Sequence, residues 1–212
     1  MLWVLEHMTR RILQTGIVIL LISLPGCSGD SMSPGSFTVE GFVRNGGLPV
    51  RGVSIVIDNA GNWTTVTDST GYFKIIGVTP AIRTVALSLN GSDGSFSDQK
   101  FSVAVRNDVF LSALTIPKLM KLEVDSAYGG RGIRLIWHQT DAPEFRAYRL
   151  FRRQFLPLDD NTGTLAAERV DVADTTFADT LLQSGSSYFY RIYAFNELVR
   201  VCGSNTVGMI AR

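Results

Sequence analysis

The 212-residue chain carries 20 Lys and Arg against 19 Asp and Glu, a net charge of +1, and is 45% hydrophobic. That balance excludes broad electrostatic attraction to nucleic acid, and the apolar content is ample for packed cores. The cysteines are Cys27 and Cys202 and the histidines His7 and His138, too scattered along the chain for the ligand spacing of a His/Cys zinc cluster.

Arg10 and Arg11 precede an apolar run from Ile12 that ends at Leu24-Pro25-Gly26-Cys27. A basic n-region, an apolar h-region and a small residue at the end are the order of a secretory signal. The unbroken core, Gly16 to Leu24, is too short to span a hydrocarbon layer that needs about 20 residues. The tail Leu24-Pro25-Gly26-Cys27 resembles the lipobox of bacterial lipoproteins. The resemblance implies cleavage after residue 26, acylation of Cys27 and a mature chain with no net charge. Ser28, a non-Asp residue after the cysteine, implies sorting to the outer membrane. More than one acyl chain is needed for stable anchoring, which diacylation supplies. The bland alternative is an ordinary signal peptide followed by an incidental cysteine.

Residues 27–36, Cys27-Ser28-Gly29-Asp30-Ser31-Met32-Ser33-Pro34-Gly35-Ser36, are small, polar or breaking. They bury too little to order themselves and read as a flexible tether.

From Phe37 the pattern is period two. Phe37, Val39, Gly41 and Val43 share one side of a strand, and Val53, Ile55 and Ile57 share another. Thr65 to Thr67, Tyr72 to Ile76, Val85 to Leu89, Phe101 to Val105 and Val109 to Ile116 follow. Asn45-Gly46-Gly47, Asp68-Ser69-Thr70-Gly71 and Gly91-Ser92-Asp93-Gly94-Ser95 mark turns between them. About seven short strands at regular spacing predict an antiparallel β-sandwich over 37–117. The runs Val39-Glu40-Gly41-Phe42-Val43, Leu48-Pro49-Val50-Arg51-Gly52-Val53 and Thr67-Asp68-Ser69-Thr70-Gly71-Tyr72-Phe73 resemble the carboxypeptidase regulatory-like domain, a prealbumin-type sandwich. The match departs at Ala81-Ile82-Arg83, where the family opens a strand with Gly-x-Tyr. The resemblance implies an accessory domain without catalytic residues.

Pro117-Lys118 marks the boundary to a second domain, 118–212, joined with almost no linker and so semi-rigidly coupled. Leu119 to Val124, Ile133 to Trp137, Phe145 to Leu150 and Thr176 to Asp179 read as strands. Tyr128 to Gly132 reads as a turn and Leu158 to Thr164 as a polar loop. Leu182, Gly185 and Tyr188 then precede the strand Tyr188-Phe189-Tyr190-Arg191-Ile192-Tyr193-Ala194-Phe195. This run, with Trp137, Tyr148 and Ser204-Asn205, resembles a fibronectin type III domain. The resemblance implies a tyrosine corner, in which the Tyr188 phenol packs inside and its hydroxyl bonds backbone. Ser184 stands where the family has Pro. The fold class is therefore all-β, two consecutive antiparallel sandwiches after a cleaved signal peptide at 1–26.

Little in the chain suggests catalysis. There is no Gly-x-Ser-x-Gly elbow and no phosphate loop. His138 alternates away from Trp137 and reads as a solvated side chain. Cys202 reads as a small buried residue. Asp58, Asn59, Asn62 and Asp68, like Asp159, Asp160 and Asn161, lack calcium-loop spacing and suit turns. No enzyme, cofactor or metal site is predicted.

Two surfaces could bind. If Tyr188, Tyr190 and Ile192 face the core, period two sends Phe189, Arg191, Tyr193 and Phe195 outward, beside Arg149, Phe151 and Arg153 on the paired strand. An aromatic–arginine face has the composition of interface centres; alternatively the first domain or a loop covers it. Trp63, flanked by Asn59 and Asn62, could stack on a sugar ring or could be tucked in. The sequence thus predicts an exported, lipid-anchored module held by Cys27 at the outer membrane. Its partner is a protein, in adhesion or assembly, or alternatively a polysaccharide of the envelope, and not a nucleic acid.

Overall fold

The computed structural model describes residues 35–58, 62–125, 132–197 and 199–211. The lipidation candidate Cys27, the turn residues Tyr128 to Arg131 and Asn59 lie outside the described residues. Sixteen strands and no helix are found among those described, so no described helix is long and apolar enough to cross a membrane.

The first core is gathered from Val39 through Ile116. Strands β1 (Phe37–Asn45), β2 (Leu48–Pro49), β5 (Tyr72–Val78) and β8 (Val109–Thr115) form one sheet, with β1 in the middle. The β1–β8 pairing is parallel, which departs from the purely antiparallel expectation. Gly41 permits it: a Cβ there would lie 2.3 Å from the Leu111 carbonyl oxygen. Opposite lie β3 (Ser54–Ile57), β4 (Thr64–Val66), β6 (Ala81–Asn90) and β7 (Phe96–Val105). The alternation of β3 is realised residue by residue, with Ile55 and Ile57 fully buried and Ser54 and Val56 half-buried. β6 begins at Ala81, earlier than the alternation of Val85 and Leu87 indicates, because it pairs with β7 over its whole length, Ala81 to Val105 through Asn90 to Phe96. Asp68 closes its turn by accepting from the backbone NH groups of Thr70 and Tyr72 at 2.8 and 3.0 Å. The Thr70 hydroxyl and amide hold its carboxyl below the usual range.

The second core runs from Met120 to Ala211. Strands β9 (Leu122–Asp125), β10 (Ile133–Trp137) and β13 (Thr176–Asp179) make one sheet. The other holds β11 (Phe145–Arg153), β12 (Thr164–Arg169), β14 (Ser187–Asn196), β15 (Val199–Gly203) and β16 (Val207–Ile210). Trp137 is 4% exposed and meets the buried Tyr148 ring edge-on at 5.7 Å. The corner closes as the resemblance implies: the Gln183 amide donates to the Tyr188 hydroxyl at 3.0 Å, and Gly185 takes φ +80°. His138 is exposed.

The two cores share a sheet. β15 pairs with β7 at Cys202 with Ser97 and Gly203 with Phe96, giving a nine-stranded sheet ordered β12-β11-β14-β15-β7-β6-β3-β4 with β16 beside β14. Further hydrogen bonds bridge the boundary. Asn45 donates to Asp141 at 2.7 Å, and the Arg191 guanidinium donates to the Gly94 carbonyl at 2.6 Å.

Candidate functional site

β11 and β14 set Phe151 opposite Arg191 and Arg149 opposite Tyr193, so the alternation does put these residues on one side. That side does not face solvent at its centre. Tyr193 is 0%, Phe195 6% and Phe151 8% exposed, and they form a third apolar cluster with Leu158. The open aromatic–arginine face is not found at this centre; the other alternative, cover by the first domain or a loop, is found, and both supply it.

One cover is the tip of the β6–β7 hairpin. Phe96 packs against Tyr193 with ring centroids 6.1 Å apart. The Arg191 and Arg200 guanidinium carbons lie 5.7 and 5.0 Å from the Phe96 ring centre and each 5.1 Å from that of Tyr193. Arg191 also donates to the Ser204 and Gly94 carbonyls at 2.9 and 2.6 Å. The other cover is the loop between β11 and β12, which inserts Leu158, 4% exposed. Arg149 is spent within the chain, bonded to Glu168 at 2.7 Å and lying 4.6 Å over the Phe195 ring. The Tyr193 hydroxyl has no hydrogen-bond partner among the described residues. Burial pushes its phenol up, against the pull of Arg191 and Arg200.

Trp63 is half-buried against the first core, and its ring carries the Arg83 guanidinium at 4.8 Å. Arg83 is fixed there by Asp58 at 2.8 Å and by the Thr79 carbonyl at 2.9 Å. A sugar ring would have to displace that cation, so the stacking face is occupied. Asn62 is exposed beside it. The acidic residues at the Asp58 and Asp159 turns are engaged within the chain: Asp58 with Arg83, Asp160 with Arg200 and Asp159 with Thr162. No group of three or more His, Cys, Asp or Glu suited to a metal occurs among the described residues.

The predicted face stays open at one end, where Arg153 pairs with Phe189. Here the loop after β11 turns outward. Asp159 holds it, accepting from the Asn161 and Thr162 amides at 3.0 and 2.7 Å. Gly163 lets Leu158 tuck under, since a Cβ there would lie 2.6 Å from Leu158 Cδ1. With Leu158 turned in, Phe155 and Leu156 project into solvent, 69% and 59% exposed. Two open cavities flank them. One, of about 570 Å³, is lined by Gln154, Phe155, Leu156, Ser186, Ser187 and Phe189. The other, of about 350 Å³, is lined by Arg152, Arg153, Gln154, Phe155, Thr164 and Tyr188. Arg152 is committed to Asp179 at 2.7 Å and lies 5.5 Å over the Tyr188 ring. Sequence reasoning missed Phe155 and Leu156. Their signal was two large apolar residues side by side before Pro157, ahead of the stretch read as a polar loop.

Comparison with known proteins adds likenesses at low similarity. No family model matches the chain. Solved structures similar to it include pectate lyase PelI from Erwinia chrysanthemi, at 22% identity and TM-score 0.35 over 42% of this chain and 28% of that one. A candidate carbohydrate-binding protein from Bacteroides uniformis matches at 16% identity and TM-score 0.37, over 82% of this chain and 98% of that one. A Fn3-like protein from Clostridium thermocellum matches at 23% identity and TM-score 0.32, over 43% of this chain and 86% of that one. The chain thus spans about a quarter of the pectate lyase. At these scores the superpositions carry no functional argument, and the all-β fold rests on the strand pairings above.

Proposed function

We propose that the protein is a non-catalytic, membrane-anchored binding module that presents the groove beside Phe155 and Leu156 to a protein partner at the cell envelope. The observation that carries this reading is the pair of large apolar side chains left in water between two cavities, next to Arg153 and Phe189. Contiguous exposed apolar groups mark interaction sites, and aromatic residues with Arg dominate interface centres. The shared sheet across the two cores supports a presenting role, because it fixes the groove relative to the first domain. The two separate cores support a division at Pro117-Lys118. The parallel β1–β8 pairing accompanies the prealbumin-type reading of the first domain, and the tyrosine corner supports the fibronectin type III reading of the second.

The anchoring half of the proposal rests on Arg10, Arg11, the apolar run and Cys27. Cys27→Ser is expected to shift the protein from the membrane fraction to the soluble exported fraction. Unchanged membrane association would remove Cys27 as the anchor. Partner capture is tested by placing a photoreactive phenylalanine analogue at position 155 in cells. An irradiation-dependent cross-link is expected there and not from position 82, which is 74% exposed in the first domain. Equal cross-linking from both positions, or none from 155, would sink the groove as the binding site.

A further inference from the structure

Charge around the groove is not balanced. Arg152 has its counter-ion in Asp179, a carboxylate only 4% exposed that also accepts from the Tyr190 hydroxyl at 2.9 Å. Arg149 has Glu168, and Arg200 has Asp160. Arg153 has no ion pair of this kind among the described residues. Its Nη1 donates to the Pro157 carbonyl at 2.8 Å, which steers the guanidinium along the loop and leaves its charge uncompensated. The remaining polar lining, Gln154, Thr164, Ser186 and Ser187, is neutral. The groove therefore combines one unpaired planar cation, two exposed apolar anchors and uncharged donors.

We infer that the groove selects a peptide segment in which an acidic side chain stands between aromatic or aliphatic ones, its carboxylate on Arg153 and its apolar neighbours on Phe155 and Leu156. This inference rests on the groove being the protein-binding site and adds what the partner presents. A guanidinium fork matches a carboxylate in two parallel hydrogen bonds, which gives direction as well as attraction. A uronate polymer would offer the same carboxylate. Leu156 argues for the peptide: an aliphatic side chain has no flat face for a sugar ring, yet it packs readily against another apolar side chain.

The test uses the full-length protein and three dye-labelled peptides, Ser-Phe-Glu-Leu-Ser and its Gln and Lys counterparts, followed by fluorescence anisotropy. The acidic peptide is expected to bind tightest and the Lys peptide weakest, with the gap closing as salt rises. Arg153→Gln is expected to weaken the acidic peptide about tenfold, the loss of one charge-assisted contact, while leaving the Gln peptide nearly unchanged. Phe155→Ser is expected to weaken all three. Equal binding of the three peptides, or an acid preference that survives Arg153→Gln, overturns the charge inference. The groove reading itself would still stand if Phe155→Ser lowered every affinity. No binding of the acidic peptide up to about 1 mM overturns the peptide class. So does retention on polygalacturonate with no peptide binding.

Discussion

Asp179→Ala is expected to destabilise the second sandwich by about 3 kcal/mol, the lower end of what breaking a buried ion pair costs. Asp179 is the shared acceptor of Arg152, at 2.7 Å, and of the Tyr190 hydroxyl, at 2.9 Å, and its second oxygen accepts from the Leu181 amide at 3.2 Å. Tyr190 is fully buried, so its hydroxyl finds no water when the carboxylate goes. The Arg152 side chain is 29% exposed and can be partly rehydrated, which keeps the cost at the lower end. Asp179→Asn retains an acceptor for Tyr190 and loses only the charge, so about 1 kcal/mol is expected. Urea denaturation of both variants checks this. Equal stabilities for the Ala and Asn variants would show that the hydrogen bond to Tyr190 contributes nothing.

The same phenol is expected to contribute to the loss of stability at alkaline pH. Burial first, and then the Asp179 carboxylate, hold the Tyr190 hydroxyl above its ordinary value of 10.0. Tyr72 is likewise pushed up to about 12, by burial and by its hydrogen bond to Glu40. A phenol whose folded value is raised favours the folded state fully below the unfolded value near 10 and loses that contribution as pH climbs past it. Stability is therefore expected to be insensitive to these groups at neutral pH and to fall between about pH 10 and 12. The tyrosinate absorbance that Tyr72 and Tyr190 contribute, read as the difference between the wild type and the Tyr72→Phe and Tyr190→Phe variants, is expected to rise together with unfolding. A contribution from either that appears near pH 10 with the fold intact would refute the burial argument.

Local pattern made most of the fold legible. The period-two runs mark the strands, because a strand with one buried face must alternate; Ile55 and Ile57 point in and Ser54 out for that reason alone. Leu182, Gly185 and Tyr188 were readable through the resemblance to a fibronectin type III domain, which implies a corner at that spacing, and the Gln183 amide does donate to the Tyr188 hydroxyl. What local pattern could not supply is which outward face another part of the chain covers. Phe195 and Tyr193 alternate like solvent-facing residues, yet Phe96 lies almost a hundred residues away and reaches them only through the length of the β6–β7 hairpin. Phe96 opens β7 next to the Ser95 turn residue, where sequence alone suggests no more than a strand end. The open end of the face was hidden by the opposite effect. Loop residues have no periodicity, so nothing local distinguishes the inward Leu158 from the outward Phe155 and Leu156. The difference lies in the Asp159 cap and in the room that Gly163 leaves.

Gly203→Ala is expected to uncouple the two sandwiches without unfolding either. A Cβ at position 203 would lie 2.3 Å from Phe96 Cε1 and 2.8 Å from Tyr193 Cδ1. Tyr193 is fully buried and cannot yield, so the Phe96 ring must leave its slot between Arg191 and Arg200. Removing that half-buried ring directly, in Phe96→Ala, is expected to cost about 2 kcal/mol, below the range for a fully buried Phe. Both substitutions abolish one and the same docking, so their effects are expected not to add, and the double variant should resemble the worse single one. The wild-type cores, joined through β7 and β15, are expected to unfold together, whereas each variant should show two transitions. Cys202 supplies a second readout at this seam. It is fully buried within 3.6 Å of the Ser97 hydroxyl, and burial pushes its thiol up to about 11. A thiol in that state reacts only when the seam opens. Labelling is therefore expected to be slow in the native wild type and about thirtyfold faster in either variant, the ratio that corresponds to about 2 kcal/mol of easier opening. Unchanged labelling together with a single unfolding transition in Gly203→Ala would mean that Phe96 does not hold the two domains together.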